Sequence, residues 1–335
     1  MTEGQEPEDS SSAGIPLCVD LDGTLIRSDL LYEALARLSR EGFVSLIQAP
    51  LWLSRGRAGF KREVANRVAL EPSSLPYDER LIEFLRGEKS RGRRLVLVTA
   101  SDLVWAEQVA AHLELFDEVM GSDGSTNLAG ETKARALVER FGDRGFDYAG
   151  NGPADLPVWK KARRAIAVNA PPAIESGLRQ DGNLAESFPS VPLTAKTLVE
   201  AIRMRQWVKN LLVFIPIITA HKLQDGAILA AGALAFAAMS LCASGIYLIN
   251  DLLDLDSDRK HPKKQSRPIA SGNLPIPYAV VLSLVLMAAG FAISLWLPLD
   301  AVKLIVVYLV ATTAYSLSLK RKVLLDVFTL SFLYT

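Results

Sequence analysis

Asn250, Asp251, Asp254 and Asp258 follow directly on a long apolar run, and their spacing is that of one helix wall. At 100° per residue, Asn250, Asp254 and Asp258 repeat at i, i+4 and i+8 with Asp251 beside them, while Asp256 points away. Carboxylates so close repel and raise one another's pKa. A divalent cation resolves the conflict: Mg2+ takes one or two carboxylates and completes its shell with water and phosphate oxygens. The wall therefore reads as a Mg2+–diphosphate platform at a membrane surface. A solvated helix end would carry the same residues without that role.

The elements that must position this wall divide the 335 residues into two unlike halves. Half of the chain is apolar and its formal net charge is zero. Charged and apolar residues mix up to about residue 190, whereas from about 207 onward long apolar runs alternate with short charged loops. Neither half is a continuous basic surface, which argues against a nucleic-acid partner. Cys18 and Cys242 fall in a predicted strand and a predicted membrane helix and suggest neither a disulfide framework nor a thiol metal site. Residues 1–14 read as a disordered leader, acidic and Ser-rich with no apolar core, so no signal peptide is expected and the N-terminal half should stay in the cytoplasm.

Short apolar runs at 15–20, 94–99, 118–121, 146–150 and 164–168 alternate with helical stretches, which predicts an α/β, doubly wound parallel sheet over 15–170 with its site at the carboxyl ends of the strands. Residues 29–90 are helical in pattern and predict a small cap. The Pro-, Gly- and Ser-rich stretch 171–195 predicts a linker. An all-α, multi-span membrane domain is expected over 196–335, with spans at 207–220, 227–249, 277–297 and 301–319 and a partial one at 323–335. Arg259, Lys260, Lys263, Lys264 and Arg267 in one loop and Lys320, Arg321 and Lys322 in another put the aspartate wall on the cytoplasmic side of the inner membrane, the side of the soluble half.

Asp20-Leu21-Asp22-Gly23-Thr24, closing the first strand, resembles the first motif of the haloacid dehalogenase (HAD) phosphatase superfamily. Thr99 with Ser101, then Lys133, then Gly150-Asn151-Gly152-Pro153-Ala154-Asp155 follow in the order of that superfamily's remaining motifs. The resemblance implies a Rossmann-like fold with Asp20 as nucleophile and Asp22 as general acid/base. The hydroxyl of Thr99 or of Ser101 and the ammonium of Lys133 would hold the phosphate, and Asp20, Asp22, Asn151 and Asp155 would surround a Mg2+ ion. A carboxylate can take a phosphoryl group covalently, and one two residues on faces the same way along an extended segment. Asn151 departs from the pattern: the fourth motif usually opens with an acid, and an amide there removes one negative charge and weakens metal binding. A degenerate domain kept for stability or docking would carry the same motifs.

Asn250-Asp251-x-x-Asp254-x-x-x-Asp258 resembles the first aspartate-rich motif of the UbiA family of intramembrane prenyltransferases. Arg205-Gln206-Trp207-x-Lys209-Asn210 and Arg259-x-His261-Pro262-x-Lys264-x-x-Arg267-Pro268-Ile269-Ala270-Ser271-Gly272 resemble the branch that contains decaprenyl-phosphate phosphoribosyltransferase. That resemblance implies a diphosphate donor (prenyl or phosphoribosyl), a lipid-linked or aromatic acceptor in the bilayer, and Mg2+ on Asp251, Asp254 and Asp258. Asn250, Arg259, Lys264 and Arg267 are candidates for the phosphate oxygens, Arg through two parallel bonds; a solvated positive-inside loop explains the same cations. Lys209 and Asn210 sit in an apolar span, where polar groups are expensive and usually functional, although Lys209 can also snorkel to the interface. His261 reads as a loop residue rather than a ligand. The family has nine spans and a second aspartate-rich motif, and the sequence ends within what would be the fifth span. The expectation is an incomplete transferase pocket, completed by self-association or by a missing C-terminal half. A membrane-tethered phosphatase with an inert transferase remnant, or a non-catalytic assembly partner, are the competing expectations.

Overall fold

The computed structural model describes residues 14–41 and 51–317. The expected leader and the apolar stretch 323–335 lie outside them. The chain divides into two compact units, Met1–Pro192 and Leu193–Thr335.

In the first unit, strands β1 (Leu17–Val19), β2 (Leu95–Asp102), β3 (Glu118–Ser122), β4 (Asp147–Gly150), β5 (Ala165–Val168) and β6 (Leu184–Phe188) form one parallel sheet in the order β3-β2-β1-β4-β5-β6. Side chains alternate across it: Leu17, Val19, Leu95 and Leu97 pack into one apolar cluster, and Cys18, Val96 and Val98 into another on the opposite face. With both faces covered, these strands read in sequence as unbroken apolar runs. Five of the strands lie where the sequence places them. The expected linker 171–195 is corrected: it holds α7 (Pro172–Gln180) and β6, which pairs with β5. Pro171 and Pro172 open that helix, where a missing N–H costs nothing, and Gly182 with φ +67 turns the chain into β6. The prolines and glycines mark boundaries inside the fold.

The remaining helices of this unit are α1 (Leu30–Glu41), α2 (Gly56–Ala65), α3 (Glu79–Ser90), α4 (Leu103–Leu113), α5 (Glu131–Phe141) and α6 (Leu156–Trp159). Between β1 and β2 the described residues carry α1, α2 and α3, joined by turns and by isolated bridges of Ile26 with Asp22 and Tyr77. Helix α2 reaches the carboxyl end of β2, where Arg62 pairs with buried Asp102 at 2.8 Å. Strand order reverses at β1, which lies between β2 and β4, so the segment leaving β1 emerges at the switch point of the sheet. That segment is held by Asp78, fully buried as the N-cap of α3. Its carboxylate accepts from Arg80 (2.7 Å), Asn169 (3.1 Å) and Arg27 (3.3 Å), and its N–H donates to the Leu25 carbonyl (3.0 Å).

In the second unit, α8 (Ala195–Ala201) leads into a 3-10 stretch (Met204–Phe214), α9 (Ile215–Thr219), α10 (Gly226–Leu253), α11 (Leu255–Lys260), α12 (Ile276–Ser294) and α13 (Leu299–Leu317). Among the described residues, α10 and α12 are long and apolar enough to cross a membrane. The span expected at 207–220 is corrected: it is a 3-10 stretch followed by a five-residue helix, broken near Pro216. Helices α10 and α12 meet at glycines. A Cβ on Gly290 would stand 2.7 Å from the Ala238 carbonyl, and one on Gly245 would stand 2.8 Å from that of Ser283. Such close backbone approach is how helices pack where the surroundings are themselves apolar.

Burial alone would raise the Asp78 carboxyl, but the hydrogen bonds of Arg80 and Asn169 and the charge of Arg27 hold it well below the usual carboxylate range. Its contribution to stability is therefore complete above the unfolded-state value near pH 4 and is lost as pH falls through the lower folded value. Asp78→Asn is expected to cost about 2 kcal/mol at neutral pH, discounted from the cost of breaking a fully buried pair because its arginines are partly exposed. Urea unfolding from pH 7 to pH 2 checks this: the gap between the two proteins must shrink below pH 4.

Candidate active site

Asp20 emerges at the end of β1, tied by its N–H to the Ala149 carbonyl of β4 at 2.9 Å. Its side chain is buried, and the ammonium of Lys133, on α5, donates to its Oδ1 at 2.6 Å. The Thr24 hydroxyl faces Oδ2 at 3.4 Å. Gly23 makes the turn directly after Asp22 with φ +76, and a Cβ there would stand 2.1 Å from the Asn151 amide nitrogen. Asp22 accepts the Leu30 N–H on Oδ1 (2.8 Å) and the hydroxyls of Ser101 (2.6 Å) and Thr99 (3.2 Å) on Oδ2.

Asp20, Asp22 and Lys133 line a cavity of about 170 Å3 together with Asp29, Lys61, Ala100, Ser101, Ala129, Gly130, Asn151, Ala154 and Asp155. Thr99 is fully buried and does not line it. At the end of β2 the hydroxyl that borders the cavity is that of Ser101, the serine alternative of the pair Thr99 and Ser101. Thr99 instead props Asp22 and accepts the Ser101 N–H at 2.9 Å. Lys61 is a cavity residue that the sequence did not single out, because it comes from the cap, far from every motif.

The charges are tuned by burial. Asp20 is pushed up to about 7 by burial, with Asp155 and Asp22 adding to the rise and Lys133 opposing it. Burial and the neighbouring Asp29 carry Asp22 up to about 6. For Lys133, burial disfavours the charge but Asp20 and Asp155 outweigh it, so the ammonium stays protonated.

The expected acidic cage does not form here: among the described residues, no three Asp, Glu, His or Cys side chains converge to hold a metal ion. The reason is visible at Asp155, whose Oδ2 takes the N–H groups of Asn151 (2.9 Å) and Gly152 (3.1 Å) and whose Oδ1 takes the Tyr148 hydroxyl (2.7 Å). Asp22 is likewise engaged on both oxygens. Asp20, whose Oδ2 is approached only by the Thr24 hydroxyl at 3.4 Å, and the Asn151 amide, whose side chain makes no hydrogen bond among the described residues, keep the most room for a hard cation. One carboxylate and one amide, with water and phosphate oxygens, fit Mg2+.

In the second unit, Asp251 and Asp258 are 5% and 1% exposed and are joined by Arg267, whose Nη1 lies 3.0 Å from Asp251 and 2.5 Å from Asp258. Arg203 also pairs with Asp251, and Lys264 stands 3.8 Å from Asp258. The helix is interrupted at Asp254, which caps α10 and precedes α11, so the uniform wall of Asn250, Asp254 and Asp258 is corrected to a facing pair, Asp251 and Asp258, with arginine between them. The Asn250 Oδ1 is buried without a hydrogen-bond partner, an oxygen donor of the kind a hard cation takes. Arg259 donates to the Ala270 carbonyl at 2.9 Å, Asn210 to Ser240 at 2.9 Å, and Lys209 is exposed. Arg203 was missed in sequence; its signal is a basic residue at the junction before the first apolar run.

Comparison with known proteins matches these two units separately. Residues 17–160 match the family model for haloacid dehalogenase-like hydrolase, and residues 212–335 that of the UbiA prenyltransferase family. An uncharacterized protein of Sinorhizobium fredii is 38% identical over 323 residues, covering 96% of this chain and 62% of that one. The decaprenyl-phosphate phosphoribosyltransferase of Mycolicibacterium smegmatis is 39% identical over 134 residues, 39% of this chain and 42% of that one. The chain thus spans 62% of the first relative's length and under half of the second's. Among solved structures, a HAD family hydrolase of Salmonella enterica serovar Typhi covers 52% of this chain and 69% of its own at 16% identity and a TM-score of 0.37. Residues 17–160 thus match a haloacid dehalogenase-like hydrolase domain, and residues 212–335 match the UbiA prenyltransferase family.

Proposed function

We propose that the chain acts at the cytoplasmic face of the inner membrane in the assembly of a phosphoribosylated polyprenyl phosphate. The membrane unit takes part in transfer from phosphoribosyl diphosphate, and the soluble unit removes a phosphate monoester. The observation that carries the soluble half of this reading is the Asp20–Lys133 pair at the sheet's switch point, bordering a cavity with Asp22 and Ser101. The phosphoribosyl group retains a 5-phosphate after transfer, which makes the product of one unit a substrate for the other.

In the hydrolysis, an Asp20 carboxylate oxygen bonds to phosphorus as the phosphorus–oxygen ester bond breaks. Asp22, which burial lifts to about 6 so that a minor fraction keeps its proton at neutral pH, gives that proton to the departing alkoxide. Asp22 then takes a proton from water as that water attacks the aspartyl phosphate, releasing inorganic phosphate and restoring Asp20. Lys133 holds Asp20 and offers its charge to the phosphoryl oxygens. A Mg2+ ion on Asp20 and Asn151 would neutralise phosphoryl charge, and one held at Asp251 and Asp258 would neutralise the diphosphate. In the membrane unit Arg203, Arg267 and Lys264 are placed to exchange their aspartate partners for phosphate oxygens. The relative named as a decaprenyl-phosphate phosphoribosyltransferase supports the choice of donor and acceptor.

Asp20→Asn is expected to lower phosphate release from ribose 5-phosphate esters at least a thousandfold, read by single-turnover hydrolysis with the full chain in detergent; unchanged release would sink the hydrolase reading. Asp29→Asn keeps the α1 cap but removes a negative charge near Asp22. With alkyl phosphates, whose leaving group needs a proton, the alkaline limb of the pH–rate profile should move to lower pH, while nitrophenyl phosphate should show little change. For the membrane unit, Asp258→Asn is expected to weaken Mg2+-dependent binding of phosphoribosyl diphosphate at least tenfold by titration calorimetry, with Asp20→Asn as the neutral control. Equal binding by both variants would refute the platform.

A further inference from the structure

Lys61 is the cavity's second cation and the one whose charge is not already spent. It projects from cap helix α2, half-buried, and its ammonium donates to the Ala100 carbonyl at 2.5 Å and to the Asn127 side-chain oxygen at 3.1 Å. Neither partner is charged, and among the described residues no carboxylate stands within 4 Å of it. The other interior cations of this unit are paired: Lys133 with Asp20, and Arg93 with Glu88 and Asp147. An ammonium half removed from water and bordering a cavity, with the carboxylates of that cavity beyond ion-pair distance, gains from an anion at direct contact.

The chemistry of the cavity says which anion. Asp20, Asp22, Asp29 and Asp155 border it, and a phosphate monoester adds up to two more negative charges. An acid in place of Asn151 would hold a divalent ion more tightly against that repulsion, but an amide stands there and Asp155 is turned to backbone N–H groups. Positive charge in the cavity must then come in larger part from side chains. Ala100 lies between Thr99 and Ser101 at the end of β2, so the Lys61 ammonium is anchored to the strand end that presents the Ser101 hydroxyl. We propose that Lys61 is a phosphate-binding residue: its ammonium, anchored at the end of β2, bonds the phosphoryl oxygens and with Lys133 supplies the charge that Asn151 withholds from the metal site. Turnover of the bound ester rests on the hydrolase reading above; phosphate binding does not.

The test uses the full chain in detergent with inorganic phosphate as the probe, first in chelator and then in Mg2+, read by titration calorimetry and by the phosphate-dependent rise in Tm. Wild type should bind phosphate without divalent ion, Lys61→Met should bind at least tenfold more weakly, and Lys61→Arg should retain most of the affinity. In an Asn151→Asp background with Mg2+ present, the penalty of Lys61→Met should shrink. Equal phosphate affinity of wild type and Lys61→Met in chelator, with both folded by Tm, overturns the proposal, as does binding that requires Mg2+ and ignores Lys61. If Lys61→Met loses phosphate binding while no phosphomonoester is hydrolysed, the hydrolase reading falls and the phosphate site stands. If hydrolysis proceeds with unchanged kcat/KM in Lys61→Met and phosphate binding is unaltered, the reverse holds.

Discussion

A carboxylate and an ammonium 2.6 Å apart inside the soluble unit, Asp20 and Lys133, set the terms for the rest of its architecture. Burying either alone would cost several kcal/mol, so each needs the other, and both need the elements that bring them together. Strand β1 delivers Asp20 between β2 and β4, and α5 returns Lys133 to the same end of the sheet. Tyr148 and Asp155 take up the remaining hydrogen-bonding capacity behind the lysine. The pair is held where the strand order reverses, which is also where a doubly wound sheet leaves a crevice.

Asn151 changes the character of that crevice. With an acid, the fourth motif would concentrate negative charge and hand the neutralising work to a metal ion. With an amide, and with Asp155 satisfied by the backbone, the balance passes toward Lys133 and Lys61. Chemistry on a phosphate ester requires the charge to be met by something; on the proposed reading the protein supplies more of it and the ion less.

How much of this was legible in sequence follows from what each residue depends on. Asp20, Asp22 and Lys133 could be read because their function lies in fixed motifs at strand ends and at a helix start. The parallel sheet could be read because doubly buried strands are continuous apolar runs. Helix α7 and β6 could not, since Pro171, Pro172 and Gly182 look the same at an element's boundary as in a linker. Thr99 and Ser101 both lie at a strand end, and which hydroxyl faces the cavity depends on a local shift in the β2–β3 register that no spacing rule encodes. Lys61 depends on how a cap folds back. In the membrane unit the aspartates were plain, but their arginine partners come from sixteen residues later (Arg267) and forty-eight residues earlier (Arg203) than Asp251, beyond any helix periodicity.

That last pairing has a bearing on how the protein reaches its membrane. Asp251 and Asp258 with Arg203 and Arg267 sum to zero formal charge, every counter-ion being encoded in the same polypeptide. A newly made chain can therefore fold its acids at the mouth of an apolar helix pair without waiting for a metal ion, as a self-neutralised unit whose burial does not strand a lone charge near hydrocarbon. Biogenesis and loading would then be separable events, since an anion entering this site would exchange with arginines that already neutralise its acids.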